Sequence, residues 1–257
     1  MKRDSAIPLI LLAVMSAVSC IKEDRSDCPC RLVLDFRDVD TSIVRAADIR
    51  LTSEEGFGFN DVVASSGFEG YMITVPRTTL QVCAWAGAGD CLNEDMSVSI
   101  PLGQECPRLF LHVSSADADC ELLEEKVMLR KNHCVLTVMV EKGGTYPFDL
   151  TVKGRVDGYG PDFNPRIGDF SCRAVPDTSG ICTVVLPRQL DSSLILEIDD
   201  GTETLKTFAI GESIVAGGYD WNAEDLDDVT IEVDYSLTDI FLDIVDWDKE
   251  SVYDVVI

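Results

Sequence analysis

The chain has 257 residues, 46% of them hydrophobic, which is enough to bury the core of one large or two small domains and too much for a disordered chain. Against 21 basic residues stand 46 acidic ones, a formal charge of −25 that repels phosphate backbones and anionic headgroups and so argues against nucleic-acid binding and polybasic attachment to lipid. Two histidines, His112 and His133, are few for a hydrolase or metal enzyme, and ten cysteines with no C-x2-C pair and no zinc-type His spacing favour an oxidising compartment.

The first element is a leader. Lys2 and Arg3 precede thirteen uncharged residues, AIPLILLAVMSAV, the length of a signal-peptide apolar region and too short to span a bilayer. The run ends on Ala17, Ser19 and then Cys20. A signal peptide ending directly on cysteine resembles a bacterial lipoprotein signal, although Ala17 stands where that signal usually carries leucine. The resemblance implies removal of residues 1–19, a thioether-linked diacylglycerol on Cys20 and an N-acyl chain on its new amine. Several acyl chains at ~0.8 kcal/mol per buried CH2 make a firm anchor, where one would be marginal. Cleavage by an ordinary signal peptidase nearby is the alternative. Residues 20–29 then read as a lipidated tether. Lys22, Glu23 and Asp24 within it resemble the lysine–acidic–acidic export signal of surface lipoproteins in Bacteroidales-type bacteria; a plain solvated tether is the other reading.

Beyond the tether, short strands dominate. CRLVLDF (30–36) places Leu32, Leu34 and Phe36 on one face, and DIRLTS, YMITVP, TLQVCAWAG and RLFLHV follow between Gly, Ser and Pro breaks. The polar stretch SSADADCELLEEK (114–126), with room for a short helix at DCELLEEK, marks a division into an N-terminal β-sandwich domain at 30–120 and a C-terminal one at 121–257. In the second set, CVLTVMV is almost wholly apolar, as in a strand covered on both faces. FDLTVKGRV turns Phe148, Leu150, Val152 and Val156 inward, and VTIEVDY does the same with Val229, Ile231, Val233 and Tyr235. Strands continue through ICTVVLP, SLILEID, TLKTFAI and TDIFLDIVDW to SVYDVVI. This predicts an all-β chain of two tandem sandwiches.

Candidate chemistry is sparse. Gly87-x-Gly89 in AWAGAGD opens no helix and reads as a loop, and no G-x-S-x-G, H-E-x-x-H or S-x-x-K motif occurs. His133 and Cys134 are adjacent on a strand, so their side chains leave on opposite faces and make a poor catalytic pair. DGYGPDFNP (157–165) is a long inter-strand loop or a ligand-binding one. From Asp191 to Ile257 there are 19 acidic residues against Lys206 and Lys249, a solvated face or a surface for a basic partner or calcium. With Cys20 lipidated, nine cysteines remain. Cys172 and Cys182 flank a turn-rich segment, Cys83 and Cys91 flank AWAGAGD, and Cys106 and Cys120 could bridge a strand to the division; these are the candidate disulfides.

Three features together, SCIKEDRSDCPCRLVLDF (19–36), the two all-β sets and GYDWNAEDLDDVTIEVDYSLTDIFLDIVDW (218–247), resemble the FimB-like anchor-subunit family of type V fimbriae in Bacteroidales-type bacteria. The resemblance implies two transthyretin-like β-sandwiches on an outer-membrane lipid anchor at Cys20, exposed at the cell surface, with fimbrial stalk or accessory subunits as partners. It carries over no catalytic residue, metal or other cofactor. Related lipoproteins include tip and accessory subunits, so anchor and tip stay open. A surface glycan-binding lipoprotein of a nutrient-uptake system is the alternative; it would need an exposed aromatic platform, whereas Trp85, Trp221 and Trp247 sit at strand or apolar positions. For the C-terminal SVYDVVI two fates stay open, pairing inside its own domain or strand exchange with a neighbouring subunit.

Overall fold

In the computed structural model, residues 28–140, 149–199 and 203–233 are described, together with the backbone of 240–245 and 252–256. Cys20, Lys22, Glu23, Asp24 and Trp247 lie outside these residues, as do Phe148 and Tyr235.

The first sandwich follows from the alternation in its strands. β1 (Cys30–Asp35) lies between β4 (Met72–Val75), antiparallel, and β8 (Leu122–Lys126), parallel. The facing sheet runs β3 (Gly58–Ala64), β2 (Ala46–Thr52), β5 (Thr79–Ala86), β7 (Phe110–Asp117), β9 (Arg130–Lys131). Leu32, Leu34 and Phe36 are buried as the period of two requires, against Ile49, Leu51, Leu80 and Val82 of the other sheet.

The second sandwich pairs two further sheets. One runs β13 (Ile181–Pro187), β10 (His133–Val140), β16 (Asp228–Val233), β17 (Ile240–Val245), β18 (Val252–Val256). The other runs β12 (Pro165–Ala174), β11 (Asp149–Tyr159), β14 (Ile195–Asp199), β15 (Thr204–Phe208), with β6 (Val98–Ser99) added beside β11. Leu150, Val152, Val156, Val229, Ile231 and Val233 are buried as expected. β10 is central, with one face fully buried and Val135, Thr137 and Met139 half-covered on the other. The all-β expectation of two sandwiches holds; among the described residues one short helix, Ile210–Ala216, and two 3-10 turns are the exceptions.

The path between sandwiches differs from the simple division at 120/121. DCELLEEK forms no helix: Leu122–Lys126 extends to pair with β1, because alternating half-buried Leu123 and Glu125 suit a sheet edge better than a helix face. The chain therefore leaves the first sandwich near Asn132. Residues 98–106, by contrast, form a strap laid across the second sandwich. Tyr159 pairs with Val98, Ile100 N donates to Asp157 O (2.8 Å), Gly103 N to Ser171 O (2.8 Å) and Cys106 N to Val185 O (3.0 Å), so β11, β12 and β13 are each engaged in turn.

Candidate functional site

The two sandwiches meet through β5. Leu80, Val82 and Ala84 fill the first core, while Cys83 and Trp85, on the opposite face, belong to the second. Trp85 is fully buried, its indole Nε1–H donates to Met96 O (2.9 Å), and its ring lies 5.4 Å from Tyr159 and 6.3 Å from Phe163. Tyr159 O–H donates to Asn132 O (2.8 Å) and accepts from Arg188 N (3.0 Å). The segment 157–165 is not the long loop expected but the end of β11 and a short turn, 160–164, into β12, and it serves docking: Phe163 covers Trp85 and also lines a groove of about 230 Å3 with Leu111, Val113, Arg130, Arg188 and Glu224. The buried Trp85 and Trp221 offer no stacking platform for a sugar.

Polar groups reinforce this junction. Asp225 accepts from Lys131 N (2.7 Å) and Arg130 Nη1 (2.9 Å), and Asp228 accepts from Lys131 Nζ (2.6 Å) and Val135 N (2.7 Å). Arg188 donates to Asn132 Oδ1 (2.7 Å), Ala223 O (2.8 Å) and Trp221 O. Part of the acidic C-terminal region therefore turns inward to hold the connecting segment. Composition could not separate these carboxylates from solvated ones, because their basic partners lie about a hundred residues earlier.

Neither histidine is set up for catalysis. Met128 N–H donates to His112 Nδ1 (3.1 Å), which puts the ring proton on Nε2 facing Ser114 Oγ (3.0 Å), and Ser114 in turn donates to Glu125 Oε1 (2.7 Å). A general base needs a lone pair toward the hydroxyl, so this chain runs the wrong way and instead clips β7 to β8. His133 is buried, donates Nδ1–H to Leu109 O (2.9 Å) and stands edge-on to Phe110. Burial lowers its pKa from 6.5 to about 4 and pushes the Cys134 thiol up to about 12. A thiolate–imidazolium pair is therefore disfavoured at neutral pH.

His133 gives a pH signature. Its folded pKa is depressed, so the unfolded chain binds the proton first, and stability falls as pH drops from 6.5 toward 4. Urea unfolding at pH 4.5 should show a loss of about 2–3 kcal/mol from this group relative to pH 7, absent in His133→Gln. An equal pH dependence in the variant would contradict a buried neutral imidazole.

All nine cysteines among the described residues are free thiols, so none of the three candidate disulfides is a bond in the structure. Cys172 and Cys182 are not a hairpin pair. Cys172 sits opposite Val152 of β11 and Cys182 opposite Val138 of β10, on two different sheets, because the turn at 177–180 crosses the sandwich. Burial pushes both up to about 11. Cys83 points into the second core from within β5, while Cys91 ends a 3-10 turn on the excursion that leads to the strap. Cys106 is bound to β13 of the second sandwich, and Cys120 belongs to the first, where its Sγ lies 3.9 Å from that of Cys30.

Edge strands expose unpaired backbone groups, and charge is the usual protection. β8 carries Glu124, Glu125 and Lys126, and β12 carries Arg166, Asp169 and Arg173. The sheet from β13 to β18 has the least charged edges of the second sandwich: ICTVVLP has none, and VYDVV only Asp254. The strap covers β13 at Val185. β18 pairs with β17 from Val252 to Val256, and among the described residues nothing pairs with its other side. Also among the described residues, no helix is long and apolar enough to cross a membrane, and no three or more His, Cys, Asp or Glu side chains are placed to hold a metal.

No family model matches the sequence, and no curated protein matches it. Solved structures do match the fold. A candidate polysaccharide-binding protein from Bacteroides thetaiotaomicron aligns with a TM-score of 0.66 at 12% identity over 89% of this chain and 98% of its own. A candidate adhesin from Bacteroides ovatus aligns with a TM-score of 0.59 at 12% identity over 91% and 97%. The fimbrial anchor protein Mfa2 from Porphyromonas gingivalis aligns with a TM-score of 0.55 at 12% identity over 88% and 99%. The fold expected from the resemblance is thus the fold found.

Proposed function

We propose that the protein is an outer-membrane lipoprotein subunit of a fimbrium, held at the cell surface through acyl chains on Cys20 and joined to stalk or accessory subunits by strand pairing. The observation that carries the reading is β18: a weakly charged edge strand whose outer side no described residue pairs with, in a fold shared nearly end to end with a fimbrial anchor protein. Backbone hydrogen bonds along that edge would supply affinity, and alternate side chains would supply register. The role is mechanical and uses no catalytic group, metal or cofactor beyond the lipid. Mass spectrometry of the mature N-terminus tests the anchor: it should read a diacylglyceryl, N-acylated Cys20, and an unmodified N-terminus downstream of Cys20 would overturn it.

The strand contact has its own test. Deleting residues 249–257 removes β18 and bares the edge of β17. Pull-down of fimbrial subunits should be lost while melting falls by only a few degrees, since β18 is outermost in its sheet and, among the described residues, pairs with β17 alone. Undiminished pull-down would remove β18 from the interface, and collapse of the melting transition would assign it to the domain's own core.

A further inference from the structure

The N-terminal end of the described chain is gathered into a clasp that no reading of spacing suggested. Cys30 opens β1 and is fully buried; its Sγ stands 3.9 Å from Sγ of Cys120, 90 residues later. Around the pair, the backbone is already fixed. Arg31 N donates to Glu121 O (3.0 Å), the parallel β1–β8 register begins at Arg31 and Leu122, and Cys120 N donates to Ala118 O (2.8 Å) in a tight turn. Arg77 ties the two sides from outside the strands, donating from Nε to Cys28 O (2.7 Å) and standing 3.8 Å from Asp119. Two thiols are thus held side by side by elements that would have to come apart for them to separate.

We propose that Cys30 and Cys120 form an intrachain disulfide that locks β1 to the β7–β8 connection where the chain enters the fold. Cys120 is the more exposed of the two, so it meets the oxidant first. Its thiolate attacks the disulfide of a thiol–disulfide oxidoreductase or of oxidised glutathione and releases one thiol. Cys30 then attacks Cys120 Sγ and releases the second. Two cysteine thiols become one disulfide, and the oxidant's disulfide becomes two thiols, so electrons and protons balance. The staple closes a loop of about ninety residues, the kind whose cross-linking most restricts the unfolded chain. Only the supply of oxidant in the cell rests on the surface location proposed above.

The test uses the full-length protein, harvested under N-ethylmaleimide and digested without reduction, and the same purified protein equilibrated in oxidised or reduced glutathione. A linked Cys30–Cys120 peptide is expected in the cells and in oxidised glutathione, with a melting temperature about 5–10 °C above the reduced form. Cys120→Ser, at the half-exposed position, should abolish that difference while melting with the reduced wild type. Both thiols alkylated after oxidised glutathione, or Cys120 linked to the exposed Cys28 instead, would overturn the proposal. Bonding in glutathione with free thiols in the cells would uphold the site and count against the surface location.

Discussion

Trp85→Ala is expected to cost about 3–5 kcal/mol, the range for removing a fully buried tryptophan, and to lower the melting temperature by about 10 °C in a chain of this size. The cavity would open at the contact of the two sandwiches, beneath Tyr159 and Phe163. Met96 O would lose its indole donor as well, and a buried carbonyl without a partner adds its own penalty. Because β5 contributes to both cores, a single substitution should loosen both, and amide exchange should quicken together in 157–165 of the second sandwich and in β2 (46–52), which pairs with β5 in the first. Equilibrium unfolding by urea with exchange mass spectrometry reads this. A loss below about 1 kcal/mol, or exchange changes confined to one sandwich, would mean the junction does not couple them.

Gly158→Ala should be of comparable size from a change of one methyl. Gly158 has φ +145, a conformation that side chains with Cβ rarely adopt, and a Cβ there would lie 1.9 Å from Val98 O. Neither strand can give way cheaply, since the obstacle is backbone. The strap must lift from β11, losing the Tyr159–Val98 and Gly158–Ser99 pairings. We expect a loss of about 3 kcal/mol or more from strain and lost pairing. Limited proteolysis of the variant should cut within 93–106, where the wild type resists. A variant as stable and as resistant as wild type would show that the strap is not held by β11.

The fold class was legible in the sequence because its signal is local. Leu32, Leu34 and Phe36, or Val229, Ile231 and Val233, announce their face through a period of two that no distant residue has to supply. What could not be read was everything set by pairing at long range. β8 looked like a polar boundary because its partner β1 lies about ninety residues earlier. The strap has no signal of its own in the sequence, since Val98 and Cys106 acquire their meaning only against β11 and β13. Cysteine spacing is blind for the same reason: Cys172 and Cys182 are near in sequence but on different sheets, while Cys30 and Cys120 are far apart in sequence and in contact. The buried Trp85 was placed correctly as core, yet its position between two cores depended on which face of β5 each sandwich took.

The most direct test of the proposed anchoring role is the distribution of fimbriae between cells and medium in a strain carrying Cys20→Ala. Without the thiol there is no lipid attachment, while the folded sandwiches and β18 are untouched. The account predicts fimbriae released into the medium with the mutant subunit still bound to them, against cell-bound fimbriae in the parent strain. Fimbriae that stay on the mutant cells in parental amount would contradict it.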